Sequence, residues 1–132
     1  EGRYSVDLSE KYQRMCEGAG EIQLQWQPEI GDWGYDVSYG IGPVVHEDEE
    51  YSVWLPRQDQ LQAMIEYNED VLWAWQRIRT WWTILPDLIK ARYVAHIDTD
   101  EQLWLAFVMH EKYGKVWDDN EGVWKVVHEQ EV

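Results

Sequence analysis

Site chemistry needs ligands, bases or nucleophiles within reach of one another, and this sequence offers four imidazoles and one thiol as starting points. His46 lies beside Glu47 and Asp48, and His96-Ile-Asp98 sets an imidazole two residues from a carboxylate. His110 and His128 stand apart from these pairs. Zinc or iron needs three or four converging ligands, and the spacing supplies two at a time, so no metal is expected. Asp118-Asp-Asn-Glu-Gly122 has the composition of a calcium loop. It lacks the full twelve-residue pattern ending in Glu, which makes a solvated hairpin turn the simpler reading. Cys16 falls within the apolar stripe of a helical pattern, where a cysteine acts as a small buried hydrophobe. Ser5, Ser9, Ser38 and Ser52 have no nucleophile-elbow context. Gly40-Ile-Gly42 lacks the third glycine and the following helix of a dinucleotide loop, and no Gly-Lys-Ser/Thr occurs. Its glycines are read as turn residues. No catalytic residue and no cofactor are assigned, and the chain is not expected to be an enzyme.

Composition narrows the class of partner. The 132 residues carry 26 acidic against 11 basic side chains, a formal charge of −15. Nucleic-acid binding draws on clustered Lys and Arg that displace counterions from phosphates; here they are few and scattered, so direct contact with DNA or RNA is disfavoured. A basic protein surface is the natural complement, and a merely solvated acidic surface is the alternative. Hydrophobic residues make up 45%, too many for a disordered chain. Ten Trp and eight Tyr against one Phe favour half-wet positions and interfaces, because these rings carry a polar handle. With a lone cysteine, a reducing cytoplasm is the expected setting. No apolar run approaches the roughly 20 residues that span a bilayer, and neither a membrane partner nor a signal peptide is expected.

The elements that would position these residues follow from periodicity and punctuation. The expected fold is α+β, a single small domain over 1–132. An N-terminal helix covers 4–27, with Asp7 and Glu10 as a capping box. Leu8, Tyr12, Met15, Ala19, Ile22 and Trp26 form its apolar stripe, and Pro28 stops it. Gly18 and Gly20 each weaken its middle by about 1 kcal/mol relative to Ala, so it needs tertiary support or kinks. A small β unit covers 30–56, with strands at 33–37, 44–46 and 51–55 in a short antiparallel meander, an SH3-like partial barrel being one form of it. Residues 51–64 are the joint of the chain: an alternating strand ended by Pro56, then a helix from Arg57 to about Tyr67 that buries Leu61, Met64 and Ile65.

The helical part runs over 57–114. Its second helix passes through Val71, Leu72, Trp75, Ile78, Trp82 and Leu85 and ends at Pro86. Trp73, Trp75, Trp81 and Trp82 there belong either to the core or to a partner. The last helix opens on a capping box of Asp98 and Glu101 and stops at Gly114. A C-terminal β-hairpin at 115–128 carries a polar loop, and 129–132 is a tail.

Three segments taken together resemble a known group: Lys11-Tyr-Gln-Arg-Met-Cys-Glu17 with Glu21-Ile-Gln23 and Trp26-Gln-Pro28; Trp54-Leu-Pro-Arg-Gln-Asp-Gln-Leu-Gln62; and Glu101-Gln-Leu-Trp-Leu-Ala-Phe-Val-Met109 with Glu111-Lys-Tyr-Gly-Lys-Val-Trp117. The set is similar to small uncharacterised proteins encoded by phages and prophages of Gram-positive bacteria. The resemblance implies a phage-encoded protein acting inside a bacterial cell, and it brings no catalytic residues with it.

The functional expectation is an acidic interaction protein that binds and inhibits a host nucleic-acid-handling or defence protein, with mimicry of nucleic acid as its specific form. The partner-binding candidates are Glu47, Asp48, Glu49, Glu50, Glu66, Glu69, Asp70, Asp118, Asp119 and Glu121. Their charge would stand in for duplex phosphates, which run at about one per 1.7 Å of axis. Two alternatives stay open. One is a small-molecule sponge that stacks a nucleotide signal on Trp and Tyr rings, and the other is a homo-oligomeric phage accessory protein.

Overall fold

The computed structural model describes residues 6–36, 38, 40–45, 51–65, 76, 79 and 97–126. Its helices and antiparallel strands make it an α+β protein, as expected. The chain separates into two compact units, Glu1–Arg57 and Gln58–Val132. The boundary falls inside the joint at 51–64, where Pro56 ends the extended stretch and a helix begins.

In the first unit, helix α1 spans Glu10–Gly18 and α2 spans Gly20–Gln23. The expected capping box shifts by two residues. Ser9 is the N-cap, its hydroxyl accepting from the Tyr12 amide at 3.2 Å, while Asp7 accepts from the Ser9 amide at 2.8 Å. The shorter hydroxyl fits the cap, and the carboxylate braces the residue that makes it. The single helix expected over 4–27 is broken at Ala19, which has φ −89° and ψ 68°. A glycine on each side lowers helix propensity there, and the break resolves the strain of holding both in one helix. Tyr12, Met15, Cys16, Ala19 and Ile22 are buried as the stripe predicts. Leu8 and Trp26 lie outside the helices, and Leu8 is exposed.

Strands β1 (Trp33–Asp36), β2 (Gly40–Pro43) and β3 (Val53–Trp54) form an antiparallel sheet in the order β2-β1-β3. The middle strand was expected at 44–46 and lies four residues earlier, through the Gly-Ile-Gly-Pro sequence read as a turn. Only Gly40 has the left-handed backbone of a turn glycine, at φ 78°. Gly34 and Gly42 serve a different need, the close approach of Tyr51. A Cβ on Gly34 would come within 2.7 Å of the Tyr51 Cβ, and one on Gly42 within 3.3 Å of its hydroxyl. Strand glycines mark such approaches.

Helix α1 packs on β3, and the buried Tyr12 hydroxyl donates to Pro56 O at 2.7 Å. Gln23 clamps Trp54 from both sides of its peptide, donating to its carbonyl at 2.9 Å and accepting from its amide at 2.7 Å. An edge strand of two residues is thereby held by a side chain that replaces a missing ladder partner.

The second unit begins with α3, Gln58–Ala63. It ends earlier than the expected Tyr67, in tightened i→i−3 bonds from Met64 to Leu61 and from Ile65 to Gln62. Lys112 Nζ donates to the Met64 carbonyl at 3.2 Å, a cation at a helix C-terminus. The expected helix at 71–85, including its four Trp, lies outside the described residues apart from Gln76 and Arg79, which are helical and exposed.

Helix α4, Asp100–Tyr113, opens one residue later than expected. Thr99 is its N-cap, accepting from the Gln102 amide at 3.2 Å, and Gln102 reaches back to accept from the Asp98 amide at 2.9 Å. Thr99 and Gln102 thus make the capping pair, not Asp98 and Glu101. Gly114 stops the helix in the left-handed region, as expected. Residues 104–109 are buried without interruption, so α4 is a core helix rather than an amphipathic one. It packs on α3 and runs into the hairpin of β4 (Lys115–Asp118) and β5 (Val123–Val126).

Candidate functional site

Of the ten acidic residues proposed for partner binding, Glu47, Asp48, Glu49, Glu50, Glu66, Glu69 and Asp70 lie outside the described residues. Asp118, Asp119 and Glu121 are brought together at the turn between β4 and β5, and each has an intramolecular partner. Asp118 is only 3% exposed. One of its oxygens accepts from the Asn120 and Glu121 amides at 3.0 and 3.2 Å; the other lies 3.0 Å from Lys125 Nζ. The Lys125 hydrogen bond holds the Asp118 carboxyl below the ordinary carboxylate range; burial opposes this and the loop amides add to it. Lys125 is raised in turn, first by Glu121 and then by Asp118. Asp119 accepts from the Trp117 indole at 3.1 Å, and Glu121 is exposed with Lys125 at 3.0 Å. Gly122, at φ 68°, closes the loop by donating to Asp118 O. Chemically this is a carboxylate that organises a turn, with one exposed acid beside it.

The first unit contains a second inward carboxylate that sequence reasoning missed. Asp32 is 5% exposed and accepts from the Trp26 indole at 2.9 Å and the Glu29 amide at 3.0 Å. Arg57 stands 3.7 Å from its other oxygen and donates to Gly31 O at 3.0 Å. The available signal was Pro28-Glu-Ile-Gly-Asp32, a turn sequence ending in a side chain able to cap it. Asp32 and Asp118 each take one basic residue, Arg57 and Lys125, and Lys125 is shared with the exposed Glu121.

The reactive-group readings acquire positions. Cys16 is buried and its thiol is pushed well up, by burial first, with the Tyr12 hydrogen bond opposing and Asp7 adding to the rise. It is a thiol in a core, without the thiolate character of a nucleophile. His110 sits in the last turn of α4, lowered by burial against the opposing effect of Glu111. His46, His96 and His128 lie outside the described residues, and among those described no three His, Cys, Asp or Glu converge on a metal position.

The aromatics divide in a way composition does not reveal. Trp26 stacks on Trp54 at 5.9 Å and 1° between planes, and Trp117 meets Trp124 across the hairpin at 5.3 Å. Trp104 and Phe107 pack edge to face inside α4. These rings are partners of one another. Trp33 and Tyr35 lie on β1. In the β1–β2 register they stand opposite Pro43 and Ile41, and directly opposed residues share a face of the sheet. The other face takes Gly34, Gly42, Asp32 and Val44, the last two joined by the Val44 amide donating to Asp32 O at 2.7 Å. Trp33 and Tyr35 are half-buried, while Ile41 is 37% and Val45 52% exposed, and Pro43 is exposed between them.

Among the described residues no helix is long and apolar enough to cross a membrane. No protein-family model, curated protein or solved structure matches the chain.

Proposed function

We propose that this chain is a non-enzymatic acidic interaction protein that occupies a basic surface on a host nucleic-acid-handling or defence protein. It is phage-encoded, as the resemblance implies, and works in the bacterial cytoplasm. The observation that carries the reading is the charge of −15 together with where the counter-charges lie. Two of the basic residues, Arg57 and Lys125, face inward carboxylates. Glu10, Glu17, Glu29, Asp59, Asp98 and Asp100 stand exposed on the two units. A field of one sign steers an oppositely charged partner and makes its association fast and salt-sensitive. Asp118 serves the hairpin, so the part of a phosphate-like array open to test is the run Glu47, Asp48, Glu49 and Glu50.

The experiment is capture of basic host proteins by the full chain at low and high salt, compared with a variant in which those four residues become Lys. The reading requires salt-sensitive capture that falls sharply on charge reversal. Capture indifferent to both salt and reversal would defeat it.

A further inference from the structure

The edges of the three-stranded sheet are closed by side chains of the same chain. Leu55 donates to Trp33 O at 2.9 Å, so Trp54, one residue earlier, turns its N–H and C=O away from β1. Outward groups of this kind are a template for pairing with another chain. Tyr51-Ser-Val-Trp-Leu55 also has the composition that pairs readily, with β-branched and aromatic residues, no charge and no proline. From Trp54 to Pro56, however, every outward group is taken by the helices. Gln23 accepts from the Trp54 amide at 2.7 Å and donates to its carbonyl at 2.9 Å. Two residues on, Pro56 has no N–H, and its carbonyl accepts the Tyr12 hydroxyl at 2.7 Å. Among the described residues the opposite edge is β2. There Pro43 removes a donor, and the Tyr51 hydroxyl donates to its carbonyl at 3.4 Å.

We propose that Gln23 is a stand-in strand, whose primary amide closes the β3 edge against pairing with a second copy of the same strand. The inference goes beyond the interaction reading and does not depend on it. A primary amide offers one acceptor and two donors, so it meets a backbone N–H and C=O as a peptide group does. A carboxylate would set an oxygen against the Trp54 carbonyl, and an apolar side chain would meet neither group. The second copy is the occupant that the geometry selects. An antiparallel pair centred on Trp54 sets its N–H and C=O against the same two groups of the other chain, a self-complementary register. The seal is a fixed contact rather than a lid. Gln23 stands on the four-residue α2, whose first residues have no side-chain cap, but its neighbour Ile22 is 0% exposed and anchors the turn.

The test measures self-association of the full chain by sedimentation velocity over a concentration series, in salt high enough to screen its charge of −15. Gln23→Ala is expected to associate at concentrations where the wild type is monomeric, with a constant at least roughly tenfold higher. Gln23→Met keeps the length of the side chain and removes both hydrogen bonds. It should give the same result, and it carries the test if the alanine variant folds poorly. Gln23→Glu also breaks the donor half of the contact but leaves a charge at the edge, so it is expected to stay monomeric. In the associated alanine or methionine variant, the Trp54 amide should exchange its hydrogen more slowly than in the same variant diluted to monomer. Alanine and methionine variants that associate no more than the wild type would overturn the proposal. So would a Gln23→Glu chain that associates as strongly as they do, or association that leaves the Trp54 amide unprotected.

Discussion

The two β units solve the same problem in opposite ways. In the hairpin, Trp117 and Trp124 pair with each other across the strands, and the acidic loop is folded onto Lys125. Nearly every group with chemical potential is occupied. In the three-stranded sheet, one face is packed so tightly that only glycine fits under Tyr51, while the other leaves Trp33, Tyr35, Ile41 and Pro43 at least partly open. The hairpin therefore reads as structure. The sheet keeps part of that face in contact with solvent, and the exposed side chains there are the ones whose replacement should cost the fold least. The contrast can be broken or sharpened by mutation, because it states which changes harm the fold and which do not.

The largest effect is expected on the packed face. Gly34→Ala places a Cβ 2.7 Å from Tyr51 Cβ and 3.1 Å from Val53 O. Both neighbours are close to the main chain and cannot swing aside, so the strands themselves must shift. A loss of about 2–4 kcal/mol is expected in denaturant unfolding. Next comes Tyr12→Phe, which removes the buried hydroxyl that satisfies Pro56 O at 2.7 Å. Leaving that carbonyl without its donor should cost about 1–3 kcal/mol by the same measurement. A loss below 0.5 kcal/mol would mean that another donor reaches Pro56.

The hairpin is tested through pH. Asp118 is lowered from its ordinary 3.8, so the stability it contributes is present above that value and is lost as pH falls through its folded value. Lys125 is raised from 10.5, so its contribution holds below 10.5 and fades as pH rises through its folded value. Lys125→Met should therefore lower the Tm at neutral pH, and the gap to wild type should narrow as pH falls through the folded value of Asp118. An undiminished gap in acid would show that Lys125 acts through the packing of its stem. His110 gives a smaller effect in the core. Its folded value lies below 6.5, so the unfolded chain binds the proton first and stability declines as pH drops from 6.5 to the folded value. His110→Gln should flatten that part of the stability profile.

How far the sequence disclosed these regions depends on the kind of signal. The stop of α4 and the hairpin were legible because glycine at a left-handed position and a polar loop between β-prone runs are local features, whereas the first helix breaks at Ala19 and α3 ends four residues early. Gly114 and the loop ending at Gly122 behave as expected. The N-caps of α1 and α4 were misplaced by two residues and one, and α1 begins six residues after the expected residue 4. A sequence offering Asp7, Ser9 and Glu10 together, or Asp98, Thr99 and Asp100, contains several competent caps, and only geometry chooses among them. The strand through Gly40–Pro43 was misplaced for a deeper reason: a glycine such as Gly42, required by a tyrosine nine residues away, has no local mark distinguishing it from a turn glycine. Asp32 was passed over and Asp118 was placed among the partner-binding acids, because composition does not distinguish an exposed acid from one that caps its own turn, as these do with the Glu29 amide and with the Asn120 and Glu121 amides. The open sheet face was invisible until the register placed four side chains on one side.

The smallest stability effect belongs to that face, and it decides the comparison. Ile41 and Val45 are exposed by 37% and 52%, so replacing both by Ser removes little that the folded chain buries. The change in unfolding free energy should stay within about 0.5 kcal/mol, the usual range for surface positions. The two faces of the sheet would then separate, with little lost at these two positions and much lost at Gly34. If the serine variant instead unfolds as readily as Gly34→Ala, Ile41 and Val45 belong to the core, and the sheet is no more open than the hairpin.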